Sequence, residues 1–340
     1  MSRHVKPKLF VTREVFPEVI KKLENYYDVE VWDRFTNPPP DVLESKVRDY
    51  DALLTMAGDR ITCSMLSNAR NLRIISQMIV GFDNIDIECA TRLGVYVTNA
   101  PGIISEATAD FTWALILATA RRVVEADNYV RWGEWFRDRT PWHPLMFLGT
   151  LVYGKTLGII GFGAIGRAVA RRAKGFGMKI LYYDIVRAPK EVEEELSAEY
   201  RDLESLLKES DIITIHTPLT KETYHLVNDE RLKLVKKGVI LINAARGPIV
   251  DTNALVRALS EGRIAGAGLD VFEEEPLPPN HPLTMFKNVV LAPHIASATY
   301  ESRLEMASKA AENLIAFAEG KVPPNLVNKD VVKVRSPGFK

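Results

Sequence analysis

The chain has 340 residues, enough for two domains that each bury a substantial core. Its 44 basic and 44 acidic residues cancel, so no net charge draws the surface to nucleic acid or to an anionic membrane. The longest strongly apolar stretch, residues 111–120, is too short to span a bilayer, residues 1–6 lack the apolar segment of a secretory signal, and two cysteines offer neither a disulfide framework nor a metal pattern.

From the N-terminus, residues 8–12 read as a strand, 16–26 as a helix, 29–32 as a strand and 41–50 as a helix. Short apolar runs follow at 52–55, 72–76 and 95–98. This alternation predicts a parallel, doubly wound sheet covered on both faces. Cys63 and Cys89 fall among these segments, and buried free thiols in a reducing cytoplasm are expected. Asn99-Ala100-Pro101-Gly102 breaks the rhythm. Ser105 then caps a long helix, with Glu106 in its first turn and Phe111, Leu115 and Ala118 along one face. Residues 131–150 crowd Trp132, Trp135, Phe136, Trp142 and Phe147 among Arg, Gly and Pro. Aromatics on an irregular arm point to a protein–protein surface, the bland alternative being a loop folded back on its own domain.

Residues 156–184 read as a complete dinucleotide-binding unit. The apolar run Leu157-Gly158-Ile159-Ile160 leads into Gly161-Phe162-Gly163-Ala164-Ile165-Gly166, then a helical pattern, then a second apolar run closed by Asp184. Gly161 permits the tight turn, Gly163 lets a pyrophosphate approach the backbone, and Gly166 allows helix to pack on strand. The helix N-terminus offers N–H groups to the phosphates, and Asp184 can accept hydrogen bonds from a ribose diol. Six strands are predicted in this half, at 157–160, 180–183, 212–216, 239–243, 265–270 and 289–291. Residues 302–319 read as a late helix able to return to the first domain. The expected division is a discontinuous substrate-binding domain, 1–102 with 298–340, and a dinucleotide-binding domain, 103–297.

Ligands of open α/β sheets bind beyond the carboxyl ends of the strands. The residues there are Asp184, His216-Thr217-Pro218, Ala244-Ala245-Arg246-Gly247, Asp270 and Pro293-His294. Arg246 has the planar fork that suits a carboxylate and a charge it cannot lose. His294 is the candidate proton carrier, with an unperturbed pKa of about 6.5. Glu275 could orient that ring and stabilise its protonated form, but Glu273 and Glu274 are equally acidic and charge alone does not choose among them. The other histidines, His4, His143, His216, His225 and His281, lack a comparable constellation, and without an HExxH or CxxC motif no catalytic metal is expected.

The order of these motifs resembles the D-isomer-specific 2-hydroxyacid dehydrogenase family, and within it the glyoxylate/hydroxypyruvate reductases. The likeness rests on the mid-chain glycines, Asn243-Ala244-Ala245-Arg246-Gly247, the run Gly268 to Pro276, Pro293-His294-Ile295-Ala296, the segment Val80 to Asp86 and Glu106 to Asp110. It implies two doubly wound domains, flavodoxin-like and Rossmann, with a cleft between them. It also implies a catalytic set of Arg246, Glu275 (the glutamate directly before proline) and His294. Val80 and Gly81 would meet the substrate carboxylate, and Met56 and Ala57 would complete the pocket. Thr108, Thr217, Pro218, Ala244 and Ala245 would join Gly161, Gly163, Ala164, Ile165, Gly166 and Asp184 around the cofactor, with Asp270 at its carboxamide. The aromatic arm would form a homodimer, Trp142 reaching the partner's site. The implied reaction is reduction of a small 2-oxo acid, glyoxylate to glycolate first, with hydroxypyruvate beside it. NAD is the expected cofactor, since Asp184 repels a 2′-phosphate, although Arg187 could swing in to accept one and admit NADP. Other D-2-hydroxyacid chemistry, phosphite oxidation and a non-catalytic dinucleotide-sensing co-repressor stand as alternatives.

Overall fold

Apolar runs without polar alternation suit strands buried on both faces. Ala52–Thr55 and Val239–Asn243 are such runs, and each lies inside a parallel sheet. A computed structural model of the chain describes residues 5–102 and 104–339. The reading of the extreme N-terminus as lacking a signal, with His4, falls largely outside the described residues, as do position 103 at the expected domain boundary and residue 340. The chain divides into two units, Met1–Ile104 with Thr299–Lys340, and Ser105–Ala298.

In the first unit the elements run β1 (Lys8–Val11), α1 (Pro17–Leu23), β2 (Asp28–Val31), α2 (Pro40–Asp49), β3 (Ala52–Thr55), α3 (Cys63–Ser67), β4 (Ile74–Gln77), α4 (Ile87–Arg92) and β5 (Tyr96–Thr98). The strands pair in parallel in the order β2-β1-β3-β4-β5, the flavodoxin-like arrangement. Pro17 and Pro40 sit in the first helical turns, where a missing N–H breaks no helical hydrogen bond. The C-terminal helix Tyr300–Ala318, capped by the Thr299 side chain, joins Met306, Ala310, Leu314 and Phe317 to Leu9, Tyr27, Ile74 and Tyr96 in one apolar cluster. Two buried hydroxyls anchor it: Tyr27 donates to the Leu314 carbonyl at 2.6 Å and Ser76 to that of Ala310 at 2.9 Å.

The cysteines correct the expectation of free thiols. Cys63 on α3 and Cys89 on α4 have Cα atoms 5.5 Å apart and are joined by a disulfide, a separation such a bond spans. Two cysteines 26 residues apart carry no signature in the sequence. Tertiary structure brings them together, with a parallel bridge between Ile61 and Ile85 aligning the segments that lead into the two short helices.

The second unit continues with α5 (Ile104–Ala120), α6 (Val123–Arg131), α7 (Glu134–Asp138), β6 (Thr156–Ile160), α8 (Ala164–Ala173), β7 (Lys179–Tyr183), α9 (Lys190–Leu196), β8 (Ala198–Tyr200), α10 (Leu203–Glu209), β9 (Ile212–Ile215), α11 (Asp229–Leu232), β10 (Val239–Asn243), α12 (Thr252–Ser260), β11 (Ile264–Leu269) and β12 (Val289–Leu291). The sheet order β12-β11-β10-β9-β6-β7-β8 is all parallel. Counted from β6, it is the doubly wound dinucleotide order 3-2-1-4-5-6 with β12 added at one edge. The sheet has seven strands where six were predicted, because β8 is a three-residue edge strand too short to show a period. Ser105 lies inside α5, one residue past its start, and is not the cap. The aromatic arm is partly helical, through α6 and α7. Among the described residues no helix is long and apolar enough to cross a membrane.

Candidate active site

The sheet order of the second unit reverses between β6 and β9, and their carboxyl ends open where such folds take ligands. At the end of β6, Gly161 turns with φ of 92°, a conformation side chains resist, and a Cβ there would stand 2.6 Å from backbone atoms of His216 and Thr217. Gly163 caps α8 without any side-chain bond, and nothing lies within 4 Å of where its Cβ would be. An open glycine in front of an uncapped helix end fits a diphosphate, which needs close approach and N–H donors. Ala164 and Ile165 open α8, and a Cβ on Gly166 would stand 2.2 Å from the Gly161 carbonyl oxygen. Asp184 follows β7, and its Oδ2 accepts the Phe162 N–H at 2.7 Å, tying the acid to the glycine turn. Thr217 and Pro218 follow β9, Ala244 and Ala245 follow β10, and Thr108 is buried in α5.

The chemistry-bearing side chains come from the next strand ends. Asn243, the last residue of β10 and fully buried, accepts the Ala245 N–H at 3.0 Å and donates to the Arg246 carbonyl at 2.9 Å. This side chain holds the turn that presents Arg246, a brace not foreseen from the sequence. An Asn at a strand end, able to bond its own backbone two residues on, is the signal that could have shown it. A Cβ on Gly247 would stand 1.9 Å from the Phe272 carbonyl carbon, so only glycine lets this turn pass the segment that carries Glu275.

Glu275 Oε1 accepts the Phe272 N–H at 3.0 Å, and its Oε2 meets His294 Nδ1 at 2.8 Å. Burial pushes the Glu275 carboxyl up. His294, the Phe272 N–H and the charge of Arg246 together outweigh that, holding it below the usual glutamate value. His294 sits at φ of 56°, uncommon for a residue with a Cβ. The fully buried Asp270 holds it there: its carboxylate accepts the N–H groups of Ile295 and Ala296, each at 2.8 Å, while its carbonyl accepts that of His294. Burial raises the Asp270 carboxyl, with the two backbone donors opposing. Asp270 therefore acts on His294 through the backbone.

Two of the three adjacent glutamates separate by partner. Glu273 accepts the Thr252 N–H at 2.7 Å and faces His225 Nε2 at 3.3 Å, leaving Glu275 as the acid beside His294. His225 thus also faces a carboxylate, that of Glu273. His216 follows β9 with Nε2 at 2.8 Å from the Thr214 hydroxyl, and its Nδ1 is buried without a hydrogen-bond partner. Burial drops it to about 3, so it stays neutral in the working range and is not the proton donor.

In the first unit, Met56 and Ala57 follow β3 and Val80 and Gly81 follow β4. The chain's single glutamine, Gln77, joins the two loops: its carbonyl accepts from Thr55, and its amide donates to Gly81 at 3.2 Å and Asn84 at 2.6 Å. Asn84 in turn donates to the Asp59 carbonyl at 2.7 Å, and the Asp59 carboxylate accepts the Met56 N–H at 2.8 Å.

An imidazole whose Nδ1 faces a carboxylate has Nε2 left to exchange a proton with a ligand. A guanidinium whose charge acts on that carboxylate suits an anionic group, and the glycine turn suits a dinucleotide. The family model described as D-isomer specific 2-hydroxyacid dehydrogenase, NAD binding domain, matches residues 113–296. The glyoxylate reductase of Aeropyrum pernix is 66% identical over 334 residues, 98% of this chain and 99% of that protein. A glyoxylate reductase structure from Paecilomyes thermophila has a TM-score of 0.84 at 29% identity, covering 95% of this chain and 99% of the other. The D-lactate dehydrogenase of Aquifex aeolicus, solved with NAD and lactic acid, has a TM-score of 0.82 at 32% identity, covering 94% and 98%.

Proposed function

The chain belongs to the D-isomer-specific 2-hydroxyacid dehydrogenase family, and from that premise we propose that it reduces glyoxylate to glycolate, and hydroxypyruvate to glycerate beside it, using reduced NAD. The observation that carries the reading is the 2.8 Å contact of Glu275 with His294 Nδ1, together with the charge of Arg246, carried on the separate turn after β10, acting on the same carboxylate. When bound, the dihydronicotinamide supplies the hydride that the carbonyl carbon takes up. His294 gives the Nε2 proton to the carbonyl oxygen as it becomes an alkoxide, a general-acid role. Arg246 grips the substrate carboxylate and offsets charge on that oxygen. Ionised Glu275 orients the ring and offsets the positive charge it carries before the transfer. Met56, Ala57, Val80 and Gly81 are assigned to the substrate, and Thr108, Thr217, Pro218, Ala244, Ala245 and Asp270 to the cofactor. Purified protein mixed with NADH and glyoxylate should consume reduced-nicotinamide absorbance and yield glycolate; no consumption with glyoxylate or hydroxypyruvate would overturn the assignment.

NAD is preferred to NADP because Asp184 follows β7 beside the glycine turn, where its carboxylate would accept from a ribose diol and repel a 2′-phosphate.

A homodimer through residues 131–150 belongs to the same reading. Trp132, Phe136, Trp142, Leu145 and Leu148 are all more than half exposed, an apolar load unusual for a monomer's surface. Trp135 is 42% exposed, and Phe147 packs edge-on against Tyr129 at 5.1 Å. Light scattering should give twice the 38.2 kDa chain mass, and Phe136→Asp with Trp142→Asp should reduce it to one. A wild-type monomer would remove the dimer.

A further inference from the structure

The NAD preference above leaves Arg187 to be explained, and the inference here rests on reading this unit as a nicotinamide dinucleotide site. Arg187 lies three residues beyond Asp184, where a guanidinium could neutralise a 2′-phosphate. It is already committed. Its Nε donates to Glu193 Oε1 and its Nη2 to Oε2, each at 2.9 Å, a two-pronged pairing.

An exposed ion pair of this kind is ordinarily weak, and a strong phosphate ligand could displace the acid. Glu193 is different because something else holds it. Its side chain, on α9, is 10% exposed against 65% for Arg187. It also accepts the Tyr182 hydroxyl at 2.5 Å, and that hydroxyl accepts the Ala188 N–H at 3.0 Å. Tyr182 is fully buried and its ring stacks on Phe162 of the glycine turn at 4.0 Å. The Arg187 guanidinium and the Tyr182 hydroxyl bring the Glu193 carboxyl down to about 2, so it stays ionised wherever the protein works. Arg187 further lies over the Tyr200 ring at 5.7 Å. The acid is anchored to the core, and the arginine is anchored to the acid.

We propose that Glu193 is a specificity-determining residue: by holding Arg187 against α9 and β8 it withholds the guanidinium from a 2′-phosphate and keeps the site selective for NAD over NADP. Asp184 repels the phosphate, and Glu193 removes the cation that would compensate. The two devices act on one position of the ligand and add.

The test is direct binding, read as energy transfer from tryptophan to bound NADH or NADPH, on the wild type, Glu193→Ala, and Glu193→Ala with Arg187→Ala. Releasing the guanidinium should tighten NADPH by about tenfold, the scale of one charge-assisted phosphate contact, with NADH changed less than about twofold. The gain should vanish when Arg187 is also removed. Unchanged NADPH affinity in a folded Glu193→Ala protein would overturn the proposal, as would a gain that survives loss of Arg187. Glu193→Gln keeps the side-chain volume and the Tyr182 bond without the charge, and carries the same expectation if the alanine variant does not fold. Wild-type protein that binds neither dinucleotide would overturn the cofactor reading itself, and this proposal with it.

Discussion

His294→Ala should lower turnover with glyoxylate by about 10²–10⁴, the range for loss of a positioned proton donor, while the affinity for NADH stays near the wild-type value. The variant loses the imidazole that pairs with Glu275, and neither His216 nor His225 can replace it. His216 is held neutral by burial, and His225 is turned to Glu273. Glu275 sets the acid side of the wild-type profile. Its carboxyl is held below the usual glutamate value, so the pair forms above that lowered value and is lost only as pH falls through it. Activity should therefore persist on the acid side through the ordinary glutamate range near 4.3, provided the fold does. Steady-state kinetics across pH on both proteins checks this. Wild-type turnover in His294→Ala would remove the residue from the chemistry.

Much of this architecture is legible from the chain, and the reasons are local. Ala52–Thr55 and Val239–Asn243 are unbroken apolar runs, so their strands are found at the predicted residues. The glycine turn is legible because each glycine answers a separate steric demand within six residues. What escaped depends on distant partners. The edge strand β8 offers only Ala-Glu-Tyr and exists because β7 lies beside it. The Cys63–Cys89 bond exists because two short helices meet across an intervening strand. Charge could not say which of Glu273, Glu274 and Glu275 faces His294. The fold decides it, with the Phe272 N–H holding one acid and the Thr252 N–H another. Glu193 shows the same limit from the other side. As a sequence position it is one of several glutamates on an exposed helix, and only the buried Tyr182 hydroxyl distinguishes it.

Arg246→Lys should cost about 10²–10³ in kcat/KM for glyoxylate, the scale of losing one preorganised donor to a developing oxyanion, although the charge is retained. The turn that carries Arg246 is built to aim a planar group. Asn243 pins it from within, Gly247 lets it pass Phe272 at a distance no side chain allows, and Arg246 Nη1 is itself steadied by the Ala245 carbonyl at 2.8 Å. A lysine keeps the positive charge near Glu275, so the Glu275–His294 pair and the acid side of the pH profile should hold. It lacks the second donor that fixes a carboxylate's orientation, so the substrate's carbonyl is no longer held against Nε2 of His294. Arg246→Met removes both charge and fork, and should lose more activity and move the acid limb as well. Measured together, the two variants separate field from geometry. A lysine variant within about tenfold of wild type would mean that charge alone carries the role of Arg246 and that the braced turn serves some other end.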